Sequence, residues 1–152
     1  MIRPVAAGDV PEVIQLVADT LAEFGLEFGK GSQTDEELHQ LPASYAARGG
    51  QFWIARAESG ELLGTAGMYP LSPTTFELRK MYLRPTSRGL GLGKQLLDTC
   101  AAWTQRRGGT HIVLDTMEKM QRAIAFYEAH GFVRDDTHIR GSRCSRGYIK
   151  AL

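Results

Sequence analysis

The sequence predicts an α+β fold in one domain spanning residues 1–152. Three observations lead there. Apolar residues recur at helical spacing in four stretches, they switch to strand-like patterning between residues 51 and 83, and a glycine-rich turn joins the last of those strands to a helix. A chain of 152 residues, 43% of them hydrophobic, buries roughly 70% of its unfolded surface and makes a core without disulfides or a structural metal.

Taken in order, Asp9 with Glu12 three residues on caps a first helix over residues 9–23, with Val10, Val13, Ile14, Val17 and Leu21 along its apolar stripe. Gly25, Gly29 and Gly31 interrupt that pattern. A second capping box, Thr34-Asp35-Glu36-Glu37, opens a shorter helix carrying Leu38, Leu41 and Tyr45, which Pro42 bends or ends. Phe52-Trp53-Ile54-Ala55 reads as a strand, and the polar turn at residues 58–61 returns it antiparallel to a second strand at residues 62–68. A third strand, residues 76–83, sets Phe76, Leu78, Lys80 and Tyr82 on one face and Glu77, Arg79, Met81 and Leu83 on the other until Pro85 stops it. After the turn Arg88-Gly89-Leu90-Gly91-Leu92-Gly93-Lys94, residues Leu92, Leu96, Cys100 and Trp103 share one helical stripe that ends near Gly108-Gly109. A buried strand at residues 111–114 and a helix at residues 117–130 follow, the helix turning Ala123, Ile124, Phe126 and Tyr127 inward and stopping at Gly131. Residues 147–152 supply a last strand. Neither a repeat nor a linker marks a second domain.

Charge is divided unevenly. Residues 1–78 carry 4 basic and 11 acidic side chains, and residues 79–152 carry 14 basic and 6 acidic. Uneven distribution alone would produce such a split, but Arg79, Lys80, Arg84, Arg88 and Lys94 gather in sequence around the glycine turn, which favours an anionic ligand there. Nucleic acid is not the expected partner, because helix-turn-helix, zinc-finger and aromatic-basic RNA patterns are all missing. With Cys100 and Cys144 the only cysteines, and a proline and an acid preceding any apolar leader, the expectation is a cytoplasmic protein with no membrane segment and no metal.

A glycine turn between strand and helix brings backbone N–H groups against a ligand, and the helix start adds about half a positive charge. Arg88 and Lys94 beside it suit a pyrophosphate. Two familiar phosphate loops fail on spacing. A P-loop would need a hydroxyl where Gln95 follows Lys94 and a glycine where Arg88 stands, and Gly89, Gly91 and Gly93 run G-x-G-x-G rather than G-x-G-x-x-G.

The pattern that fits is R-x-x-G-x-G at Arg88, Gly91 and Gly93, and here the chain resembles the GNAT superfamily of acyl-CoA-dependent N-acyltransferases. Residues 77–85 look like that family's fourth strand, and Ala123-Ile124-Ala125-Phe126-Tyr127-Glu128-Ala129-His130-Gly131-Phe132 looks like its A-I-x-x-Y-E-x-x-G-F helix. The resemblance implies three α/β/α layers, in which a central mixed, mostly antiparallel sheet is splayed at a cofactor wedge and flanked by about four helices. It implies acetyl-CoA as co-substrate, with the backbone of Met81, Tyr82 and Leu83 along the pantetheine arm and the amides of Arg88, Gly89, Leu90, Gly91, Leu92, Gly93 and Lys94 around the pyrophosphate. The chain departs from the family at Met120, where many members carry an Asn whose side chain helps to hold the cofactor.

Moving an acetyl group from sulfur to nitrogen needs a neutral amine, an oxyanion donor and a proton for the leaving thiolate. An alkylamine of pKa near 10.4 is about one part in a thousand neutral at physiological pH, a handicap of roughly 4 kcal/mol, so proton removal is the main demand. By the resemblance, Tyr127 is the acid beside the cofactor sulfur and a main-chain N–H near Met81 is the oxyanion donor. From periodicity alone Tyr127, at i+3 from Ile124, reads better as a core aromatic, and it is the resemblance that favours the catalytic role. Glu77 is the candidate base, expected on the same strand face as Met81 and Leu83; the alternative is a strand residue paired with Arg79 or Lys80. The acceptor is expected to be a small-molecule amine or amino-acid-like compound meeting Phe24, Phe28, Arg140 and Arg143, the arginines as candidate carboxylate clamps. The protein is expected to be a monomer or homodimer. A non-catalytic acyl-CoA-binding or regulatory module is the competing function.

Overall fold

The computed structural model describes residues 1–30 and 32–152. Gly31, one of the glycines expected to interrupt the first helical pattern, lies outside the described residues. Seven strands form one open sheet in the order β1-β2-β3-β4-β5-β7-β6: β1 (Ile2–Pro4), β2 (Gln51–Arg56), β3 (Leu62–Pro70), β4 (Thr75–Leu83), β5 (His111–Thr116), β6 (Val133–Arg134) and β7 (Arg146–Ala151). Every pairing is antiparallel except β4 with β5, so the sheet is mixed and mostly antiparallel, as the resemblance implies.

Alternation along β2 explains the layering. Phe52 and Ile54 enter one core with α1 (Val10–Ala22) and α2 (Ala43–Ala46), while Trp53 and Ala55 enter another with α3 (Leu92–Arg106) and the end of α4 (Gln121–Ala129). On the α3 side Trp103 meets Trp53 and Phe76 edge-on at 5.6 and 5.7 Å. Among the described residues, no helix is long and apolar enough to cross a membrane.

Three sequence expectations change. Asp9 does not cap α1; its carboxylate accepts from the Ala6 amide and from the guanidinium groups of Arg3 and Arg56, fastening the helix start to β1 and β2. The second helix is instead a 3₁₀ segment (Gln33–Gln40) followed by the single turn of α2, because Pro42 supplies no N–H to continue a helix across it. The capping role expected of residues 34–37 is not taken up, since Asp35 is buried and bonded elsewhere.

The third change concerns β4. Thr65 pairs with Tyr82 and Gly67 with Arg79, so one residue of β3 faces two of β4, Lys80 and Met81. Lys80 takes a left-handed backbone (φ 54°), which costs a non-glycine residue about 1–2 kcal/mol, and the Thr65 hydroxyl donates to its carbonyl at 2.7 Å. This bulge reverses the alternation halfway along the strand. Phe76, Leu78, Met81 and Leu83 pack on the α3 side, whereas Tyr82 packs on the α1 side and Glu77, Arg79 and Lys80 engage residues there. Glu77 and Met81 therefore lie on opposite faces, contrary to the period-two reading.

Candidate active site

The functional cleft begins where β4 and β5 part. Their parallel pairing covers only Thr75↔His111, Phe76↔Ile112 and Glu77↔Val113, after which β5 continues against β7 alone. The β5-facing edge of residues 78–83 has no strand partner. Backbone N–H and C=O groups in such an edge need a partner, and an extended chain of amides is one that fits.

Beyond β4 the chain turns through Gly89 (φ 78°) and Gly91 (φ 86°), conformations that disfavour any residue with a Cβ. Gly91 is the N-cap of α3, so the first-turn amides of a fifteen-residue helix open from this turn without i−4 partners. Gly93 serves packing instead, because a Cβ there would meet the Phe126 ring at 3.3 Å and glycine lets α3 and α4 approach.

Splay, turn and α4 enclose a cleft of about 1630 Å³, beyond the roughly 300–1,000 Å³ of a single-ligand pocket and roomy enough for two reactants. Glu77, Met81, Tyr82, Leu83, Arg88, Gly89, Gly93 and Tyr127 lie in its wall, as do Phe24, Arg140 and Arg143. Leu90, Gly91, Leu92 and Lys94 do not, and Leu90 is 76% exposed. Phe28 is also outside the wall, lying edge-on to His39 at 5.7 Å. Met120 is buried in the wall and its sulfur accepts from the Thr116 hydroxyl at 3.6 Å.

Tyr127 is buried by Ile124 and Phe132 of the α3-side core, and its hydroxyl takes no hydrogen bond from any described residue. Burial raises its pKa, so the phenol stays protonated through neutral pH. Glu77 is 4% exposed. Its Oε1 accepts from Arg79, whose guanidinium lies 3.8 Å over the Tyr69 ring and 3.4 Å from Glu37, while its Oε2 has no hydrogen-bond partner among the described residues.

The positive charges expected around the glycine turn are already partnered. Arg79 pairs with Glu77 and Glu37, Lys80 with Asp35, Arg84 with Asp19 at 3.1 Å, Arg88 with Glu23 at 2.8 Å, and Lys94 with Asp98 at 2.6 Å. Four of these five cations find carboxylates in the acidic first half, so much of the charge asymmetry is satisfied inside the molecule. Arg88 also donates to the Leu83 carbonyl at 3.0 Å, steadying the turn against β4 rather than facing a ligand. The turn itself thus offers amides more than side-chain charge.

Sequence reasoning missed two carboxylates that hold the site's loops, Asp35, which is buried, and Asp115, which is half-buried. Asp35 is fully buried and accepts from Lys80, from the Gly29 amide at 2.8 Å and from Arg143 at 3.1 Å, binding the 3₁₀ segment, the β4 bulge and the 140–144 loop together. Burial opposes its ionisation, yet Lys80, the Gly29 amide and Arg143 outweigh that and lower its pKa. Asp115 Oδ2 accepts from the Arg140 and Gly141 amides, both at 2.7 Å, and so fixes the same loop to β5. An acid at the end of an apolar strand was the one available signal for Asp115; Asp35 was hidden in an apparent capping box.

Residues 15–132 match the family model described as Acetyltransferase (GNAT) family. The chain belongs to the GNAT acetyltransferase family. As a GNAT member it is an acyl-CoA-dependent N-acetyltransferase. It is 32% identical to the uncharacterized N-acetyltransferase YjgM of Escherichia coli over 90% of this chain and 83% of that protein. A GNAT-family acetyltransferase structure from Staphylococcus aureus superposes with a TM-score of 0.91 at 26% identity, covering 100% of this chain and 98% of that one. A phosphinothricin acetyltransferase from Sinorhizobium meliloti, solved in complex with AcCoA, shares the fold at a TM-score of 0.76 and 18% identity, covering 100% and 88% of the two chains.

Proposed function

We propose that this GNAT enzyme transfers the acetyl group of acetyl-CoA to the primary amine of a small acceptor, by direct attack in a ternary complex. The observation that carries the reading is the unpartnered edge of β4 running into the amides of the glycine turn within one cleft. The donor set fits the cofactor: Met81, Tyr82 and Leu83 would hold an amide-bearing arm, and the amides of Gly89 and Gly93, the parts of the turn and helix start that reach the cleft, an anionic diphosphate. Acetyl-CoA, when bound, supplies the thioester carbonyl and the thiolate leaving group.

The chain's own residues then have separable roles. Tyr127, neutral and free of hydrogen bonds to the described residues, can give its phenolic proton to a departing thiolate. Glu77 is held through Oε1 by Arg79, leaving Oε2 to accept a proton from the incoming amine, directly or through water. Because the bulge turns Glu77 away from the Met81 face, the amine would approach from the α1 side of the sheet and the cofactor arm from the splayed edge.

A mass-spectrometric screen tests this. Purified protein is incubated with acetyl-CoA and pooled amines, amino acids and peptides, and the expected result is an acceptor gaining one acetyl unit with equimolar release of coenzyme A. Absence of both with every pool would refute the reading.

A further inference from the structure

Resting on that reading and deepening it, we infer that the acceptor carries a carboxylate close to its amine, and that Arg140 recognises it. The inference starts from Glu77. Among the described residues its Oε2 is buried in the cleft wall without a hydrogen-bond donor, a state that a buried polar oxygen bears at a cost unless a ligand N–H completes it. An amine is such a donor.

Arg140 Nε stands 3.7 Å from this same oxygen, beyond hydrogen-bond reach. Its side chain is 58% exposed and makes no hydrogen bond to any described residue, whereas its backbone amide is held by Asp115 at 2.7 Å. Its one ionic contact among the described residues is this long pair with Glu77, so a fixed backbone carries a guanidinium with all of its N–H donors still open, the condition for a planar fork that receives a carboxylate. The neighbouring arginines lack it. Arg79 is taken by Glu77 and Glu37, and Arg143 by Asp35 and the Lys30 carbonyl. Of the two arginines singled out in the sequence, the structure thus selects Arg140 and assigns Arg143 to the ion network beneath it.

Spacing and charge narrow the class. With 3.7 Å between the amine-accepting oxygen and Arg140, the two acceptor groups must sit a short way apart, as in an α- or β-amino acid, rather than at the ends of a long chain. The cleft wall carries seven Lys or Arg residues against five Asp or Glu, a balance that disfavours a polyamine.

The test pairs each proteinogenic L-amino acid with its carboxamide, which keeps the amine and deletes the negative charge. Turnover is followed by coenzyme A release, and binding to the cofactor-free protein by calorimetry. Wild-type enzyme should favour at least one free acid over its amide by about tenfold or more in kcat/KM, equivalent to about 1.4 kcal/mol. Arg140→Ala should bring that ratio close to one, chiefly by raising KM for the acid, and Arg140→Lys should restore part of it. Equal use of acids and amides by wild type, or a ratio untouched in Arg140→Ala, would overturn the carboxylate assignment while leaving the transferase reading intact. Failure to release coenzyme A with any acid, amide or simple amine would overturn both.

Discussion

Replacing Asp35 by Asn would leave Lys80 as a buried charge with no carboxylate. Asp35 is fully buried and the Lys80 side chain 5% exposed, whereas Arg143, also bonded to Asp35, is closer to solvent at 13%. Breaking such a pair by removing one partner costs about 3–5 kcal/mol, and for a domain of this size each kcal/mol lowers Tm by about 2–4 °C. The expected loss is therefore about 6–20 °C, read by thermal unfolding at pH 7. Its pH dependence identifies the cause. Burial already lowers the pKa of Lys80 despite Asp35, and without Asp35 it falls further. The unfolded chain then holds that proton more tightly than the folded one, so the variant gains stability as pH rises toward the unfolded lysine value of about 10.4. The deficit against wild type should shrink between pH 7 and pH 10. A Tm loss below about 2 °C, or a loss independent of pH, would refute the account of Lys80 as a charge held by Asp35.

Three further outcomes are expected. Gly91→Val forces a branched side chain into a left-handed backbone at the start of α3 and should weaken acetyl-CoA binding by more than tenfold in calorimetry; an unchanged Kd would remove the turn from the cofactor site. Tyr127→Phe should keep the cofactor Kd and lower kcat by about a hundredfold, whereas wild-type rates at every pH would leave the hydroxyl without a catalytic part. Arg3, with Arg56 and the Ala6 amide, holds the Asp9 carboxyl well below the usual carboxylate range, so its stabilisation is complete above about pH 4 and is lost as pH falls further. Urea midpoints should accordingly drop below that pH in wild type and drop less in Asp9→Asn, and parallel curves would contradict this.

The parts of the site that local chemistry dictates were legible in the sequence. Positive φ at Gly89 and Gly91 demands glycine, and Gly131 (φ 90°) ends α4 where the pattern expected. Long-range events were not legible. Nothing in Glu77-Leu78-Arg79-Lys80-Met81 announces a bulge, because the residue that takes the left-handed backbone is a lysine, and strict alternation then misassigns everything after it. Asp19, Glu23 and Asp35 find Arg84, Arg88 and Lys80 across 45 to 65 residues of chain, so the basic cluster read as a ligand-facing patch is mostly a set of tertiary ion pairs. Short elements such as β1 and β6 carry too few residues for a period to register.

The half-turn that Lys80 imposes on β4 divides one strand between two tenants. Charged residues ahead of it look toward α1 and the 3₁₀ segment, and Met81 and Leu83 after it look toward α3. On the proposed reading, substitutions around Glu77, Glu37 or Arg140 would remodel the acceptor side without disturbing the strand edge that follows the kink.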